Sequence, residues 1–183
     1  MSLPTLRNDL SKIYEPKAPA PTQRLATLVA AKRAGLHVFV AMAPTYPESE
    51  STDLKATLRA IAELDPITVF HEPINLRADN AVRIAQAASS VGIPMRTQVF
   101  HTREAWRAYA LEALQSVWSI SRELRIRERV HLWPEKTLGA KQVVLSMSNP
   151  ECYVTWLKAR WNRVSEWPNA NGSKRQKVNT AAS

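Results

Sequence analysis

Two apolar runs that stop abruptly in polar residues and proline, about thirty residues apart, constrain this chain more than any other feature. The first is LHVFVAMAP, residues 36 to 44, and the second is ITVFHEPINLR, residues 67 to 77. Each has the continuous β-branched and aromatic content of a buried strand, and each is followed by a helical pattern. Repetition of strand, loop and helix argues for parallel βα units with right-handed crossovers. In such a layer the ligand sits where strands end. His71, Glu72, Asn75 and Arg77 therefore read as part of a site.

The elements follow in order. A helix is expected from about Pro19, with Pro21 in its first turn, Leu25, Leu28 and Val29 on one face, and Gly35 as its stop. A strand follows at 36–42, then a helix capped by Ser51 or Thr52 with Leu54, Leu58 and Ile61 on one stripe, ended by Asp65 and Pro66. A second strand takes 67–71, a helix about 79–91 with Val82, Ile84 and Ala85, and an extended run 93–100. A long helix from Thr102 to about Arg125, a short strand at 130–133 and a last helix at 150–166 complete the ordered part. Residues 2–9 resemble the polar end of a strand whose apolar body is missing, which would leave an unpaired sheet edge. Residues 169–183 are too polar to bury a core and are expected to be disordered.

With 183 residues and 45% apolar content, the chain can build one core without staples. No run approaches the ~18 apolar residues of a membrane span, and the N-terminus lacks a signal-peptide layout, so a cytoplasmic protein with no membrane partner is expected. A single cysteine, Cys152, excludes an intrachain disulfide and a cysteine-held cluster built by this chain alone. Net charge is +9 and is uneven: residues 1–92 carry 10 Lys/Arg against 9 Asp/Glu, and residues 93–183 carry 15 against 7. A basic half of this kind favours a polyanion such as nucleic acid, although a solubilising surface has the same composition.

Motif chemistry narrows the rest. Four glycines, none at paired spacing, exclude a phosphate-cradling loop, and GxSxG, HExxH and zinc spacings are absent. Glu72 has the chemistry to accept from a ribose hydroxyl or a peptide N–H, and His71 to stack on or hydrogen-bond to adenine. For either, the alternative is a side chain in the wall that satisfies backbone groups. Arg77 suits a bidentate anion contact, and equally a solvated role. His37 and His101 lack a second ligand at metal spacing, His131 sits among apolar neighbours, and Cys152 reads as a small helix residue. All six tryptophans fall after residue 100, where Trp106, Trp118 and Trp161 read as apolar helix faces or, with nearby arginines, as base-stacking groups.

Several runs together carry a family resemblance. IYEPKAP at 13–19, Arg24-Leu25, Arg33 to Leu36, the strand ending Ala43-Pro44, and VFHEPINLR at 69–77 resemble the second half of a radical S-adenosylmethionine (SAM) protein. Within that superfamily they are most similar to the spore-photoproduct-lyase-like, or DNA-repair-photolyase-like, branch. HLWPEK at 131–136 and WNRVSEWP at 161–168 resemble that branch's C-terminal extension. The resemblance implies an α/β fold made of the later βα units of a partial TIM-like barrel plus a helical C-terminal extension. Residues 1–100 would be the barrel part, 101–168 the extension and 169–183 the basic tail.

It also implies SAM and a [4Fe-4S] cluster as cofactors, with three cysteines of a CxxxCxxC loop leaving one iron open to chelate SAM. This sequence departs there, having no such loop. The resemblance puts Ser2, Thr5 and Asn8 near the cofactor ribose and the backbone of Met42, Ala43 and Pro44 against the adenine. The cofactor-binding set is thus Thr5, Ala43, His71, Glu72, Asn75 and Arg77, with no metal ligand. An ordinary turn at Thr5 and Asn8, and core packing of Met42, are the structural alternatives. The expectation is a radical SAM fragment, inert alone, whose missing half lies in a truncated gene, in a partner chain or nowhere, leaving a relic. The alternative is a non-catalytic basic module that binds nucleic acid or a partner protein.

Overall fold

The computed structural model describes residues 1–75, 78–89 and 92–164. Arg77, the end of the last expected helix and the tail at 169–183 lie outside the described residues. The described residues form a mixed α/β structure: a parallel three-stranded sheet of β1 (Phe39–Thr45), β2 (Thr68–Pro73) and β3 (Val130–Leu132), with the strands side by side in that order, and seven α-helices. Ser2 bridges Ala41 in parallel, with Leu3 N–H donating to Ala41 O at 2.8 Å and Ala41 N–H to Met1 O at 2.9 Å. Residues 1–3 thus extend the sheet beyond β1, in the place expected of a strand end.

Local chemistry explains most boundaries. Between the stub and β1 lie α1 (Asn8–Tyr14), unforeseen in a sequence read as starting near Pro19, and α2 (Pro21–Arg33). Pro21 opens α2, Gln23 accepts from the Ala20 N–H at 3.1 Å, and Gly35 at φ +78° turns the chain out of it. Helix α3 (Ser51–Glu63) buries Leu54, Leu58 and Ile61, as their spacing requires, but its N-cap is Glu50, one residue before the expected Ser51. Helix α4 (Ala78–Ser89) buries Ile84 and leaves Val82 exposed.

Two expected extended segments shift. β1 runs 39–45 rather than 36–42, because Leu36 and His37 are exposed and pairing with β2 begins at Phe39 with Thr68. Residues 93–100 do not form a strand, ending instead in a 3-10 turn at Thr97–Phe100. They are tied to the loop after β1, where Arg96 donates its N–H to Glu48 Oε1 and its guanidinium to Pro47 O, both at 2.9 Å.

Helix α5 (Arg103–Glu123) is capped by Thr102, whose hydroxyl accepts from the Ala105 N–H at 3.1 Å. It packs on α3 and against both β2 and β3, with Ala110 and Ala113 allowing close approach and Leu114 and Val117 filling the space between. Burying Leu58, Ile61, Leu114 or Leu132 completely contributes about 2 kcal/mol each. After β3 come α6 (Lys141–Leu145) and α7 (Pro150–Val164), the latter against β3, with the Arg160 guanidinium 3.9 Å from the centroid of the Trp118 ring on α5. Residues on both sides of position 100 therefore build one sheet and one core.

Candidate functional site

Strand alternation sorts the candidate residues onto two faces of the sheet. Register places Val40, Val69 and Val130 in one row and Met42, His71 and Leu132 in the next. All six are buried. This is the face under α5, because Tyr109 of α5 donates to the carbonyl of Thr45, whose hydroxyl in turn meets the His71 ring.

His71 is fully buried there. Its Nε2 lies 2.6 Å from Thr45 Oγ1, and its Nδ1 has no hydrogen-bond partner. Burial penalises the imidazolium and pushes its pKa from 6.5 down to about 3, so the ring is neutral at physiological pH. A ligand at the opposite face does not meet this side chain.

Glu72, one residue on, points to the other face, which is only partly covered. Phe39 on that face is 53% exposed and Trp133 39% exposed, with the Phe70 ring 5.5 Å from that of Trp133. Glu72 is half-buried, and its carboxyl pKa is raised first by burial and then by the charge of Glu135. Glu135 follows β3 and is itself occupied, accepting from the Thr137 N–H at 2.9 Å and from the Thr137 hydroxyl. Ala43 is half-buried in β1, joined by a cis peptide to Pro44, at the point where the ladder with β2 shifts register.

Thr5 is buried, and its hydroxyl accepts from the Arg7 N–H at 3.0 Å, closing the turn that leads into α1. Asn75 is exposed past the end of β2, on the rim of a cavity of about 430 Å³. Ala43 and Glu72 thus lie half-buried on neighbouring strands and Asn75 lines the cavity past the end of β2; Thr5 and His71 are withdrawn into the core. Arg77 lies outside the described residues.

The sequence offered Arg103 and Arg107 as possible phosphate contacts beside the tryptophans and set His101 aside, but did not join any of them to Asn75. The cavity at Asn75 is walled by His101, Arg103 and Arg107, and residues 103 and 107 are one helical turn apart at the start of α5. That i, i+4 spacing directly after a helix cap was the signal available. Missed as well was a polar network beneath β1. Tyr14 stacks on Tyr46 with centroids 3.9 Å apart and donates to Glu48 Oε2 at 2.6 Å. Arg24 binds Glu15 at 2.9 Å and Ser11 at 2.8 Å.

The groups present do not fit an iron-sulfur cluster. Cys152 is exposed on α7, and no three His, Cys, Asp or Glu side chains among the described residues converge as metal ligands. The half-buried Glu72 carboxyl, the strand-end backbone and the exposed Asn75 carboxamide are groups able to hydrogen-bond a polar ligand. No described helix is long and apolar enough to cross a membrane.

Over 85 residues, 44% of its length, the chain is 35% identical to the uncharacterized protein ORF301 of Acidianus two-tailed virus. The matched segment is 28% of that viral protein, so the chain spans well under half of its relative. No family model matches the chain, and no solved structure does.

Proposed function

We propose that this chain is a part of a radical SAM protein of the spore-photoproduct-lyase-like branch, comprising later βα units of a partial TIM-like barrel with a helical extension. Its role in this reading is to hold SAM at the strand ends, and the complete protein acts on an unidentified substrate, nucleic acid being favoured by the basic second half. The observation that carries the reading is Glu72, a half-buried carboxyl on the open face at a strand end, where a parallel sheet takes its ligand. The three strands among the described residues are too few to close a barrel, which takes about eight. Further strands and the cluster must be supplied by another segment or chain, and no redox step is assigned to these residues.

In this arrangement Glu72 accepts from the ribose hydroxyls, the Ala43 backbone lies along the adenine and Asn75 closes the outer rim. Isothermal titration of the full chain with SAM tests the reading directly. Saturable binding is expected, weakened about tenfold by Glu72→Gln, since a hydrogen bond to a charged group is worth about 1.5–3 kcal/mol. Absence of saturable binding by the unaltered chain would sink the proposal. Anaerobic reconstitution with iron and sulfide is expected to leave the visible spectrum without cluster absorption.

The second reading, a non-catalytic basic module, draws on the excess of 15 Lys/Arg over 7 Asp/Glu after residue 92. Oligonucleotide binding that tolerates Glu72→Gln, together with no SAM binding, would favour it.

A further inference from the structure

The cavity beyond the ends of β2 and β3 shares Asn75 with the SAM arrangement proposed above, but its other lining residues have an occupant chemistry of their own. At about 430 Å³ it is of mononucleotide size. Arg107 forms its inner wall with a side chain only 14% exposed. Its Nε is buried without a hydrogen-bond partner. The neighbouring carboxylate, Glu104, is 80% exposed and stands 3.6 Å from the guanidinium, an ion pair too long for a hydrogen bond and weakened by water.

Nε faces the protein and is closed to a ligand, so an anion in the cavity would meet the terminal guanidinium nitrogens, whose charge Glu104 only weakly offsets. Around the guanidinium are a second cation and donors. Arg103 and His101 are exposed at the cavity mouth, Asn75 offers a carboxamide, and the Thr102 hydroxyl, which accepts from Ala105, keeps its own proton to donate. The first turn of a 21-residue helix adds unsatisfied N–H groups on the same side. Glu135, the acidic group of the lining, is turned to the Thr137 amide and hydroxyl. Phe100 gives an apolar wall on which a ring can lie.

The geometry points to a binding site for a terminal phosphate monoester, with Arg107 as the buried fork and Arg103 as the outer clamp. Arginine matches the phosphate oxygens bidentately, and two cations with a helix N-terminus suit a dianion better than an internal diester. The phosphate can come from a free nucleotide or from the 5′ end of a strand.

Fluorescence or calorimetric titration of the full chain with AMP, and with a short oligothymidylate carrying or lacking a 5′-phosphate, distinguishes these sources. Saturable binding is expected for AMP, for the phosphorylated oligomer, or for both, and at least tenfold weaker binding for the unphosphorylated one. Arg107→Gln is expected to weaken the phosphorylated ligand at least tenfold. Because Arg107 is largely buried, the exposed Asn75→Asp provides a second variant, placing a negative charge at the rim with a similar loss expected. Arg127→Gln, on the distant surface beside Glu128, should change affinity less than twofold. Equal affinity with and without the 5′-phosphate, unchanged binding in both cavity variants, or an equal loss in Arg127→Gln would overturn the assignment, as would no binding of any probe at millimolar concentration.

Discussion

Lowering the pH two units from 6.5 is expected to cost the fold roughly 2 kcal/mol through His71 alone. The folded-state pKa is pushed to about 3, whereas the unfolded chain titrates near 6.5. Between these values the unfolded chain binds a proton that the folded chain does not, so the loss per unit of acidification grows from about 0.7 kcal/mol at 6.5 to about 1.4 kcal/mol a unit or more below. The stabilisation is complete above 6.5 and is lost progressively as the pH falls toward 3.

The structural reason is specific. Protonation would place N–H groups on both ring nitrogens, and Nδ1 has no acceptor. Glu72 has the opposite sign, since its raised pKa favours the folded state at low pH, and therefore offsets part of the loss. Urea midpoints measured from neutral pH downward check this. His71→Leu should be less stable at neutral pH, because Thr45 Oγ1 loses its partner, yet show a flatter acid limb. An identical slope in the variant would rule out His71 as the source.

Arg24→Met is expected to destabilise the protein by about 3 kcal/mol, a fall in Tm of roughly 10 °C for a chain of this size. Arg24 is only 5% exposed and binds both Glu15 and Ser11. Glu15 also accepts from Tyr46 at 3.0 Å, so the cation joins α1, α2 and the segment after β1. Removing it leaves a carboxylate facing a tyrosine hydroxyl with no compensating charge. The double variant Arg24→Met with Glu15→Gln should recover part of the loss, since the stranded charge is then gone. A thermal melt within about 2 °C of the unaltered protein would contradict the network's role.

Buried strands were legible because they lie where sheet faces are covered: residues 39–42 and 68–71 alternate in a register that any continuous apolar run would satisfy. The same continuity hid which face each side chain occupies. His71 and Glu72 look equivalent as neighbours in a polar strand end, and only the position of α5 decides that one is wall and the other open. The heptapeptide Asn8–Tyr14 was missed because it lacks a side-chain cap and is too short for a periodic stripe; it is held by tertiary contacts, including Arg83 of α4 reaching the carbonyls of Ile13 and Tyr14 at 3.4 Å. The withdrawal of Arg107, one of the arginines read as able to hold a phosphate, was unreadable for another reason. Whether a helical arginine is solvated or withdrawn depends on chain segments thirty residues away on either side, here Asn75 and Glu135.

The spacing of the strands along the chain sets the order in which the sheet can assemble. β1 and β2 are joined by one helix and pair locally, whereas β3 follows β2 only after α4, a 3-10 turn, all of α5 and a second 3-10 turn. The entropy of closing that longer loop must be met before the β2–β3 bonds form, and it is met by α5 docking on α3 and β2. Amides of β1 and β2 are therefore the first to gain protection during refolding, and Val130 to Leu132 the last. Of the three strands, the third is expected to exchange with deuterium fastest in the native protein.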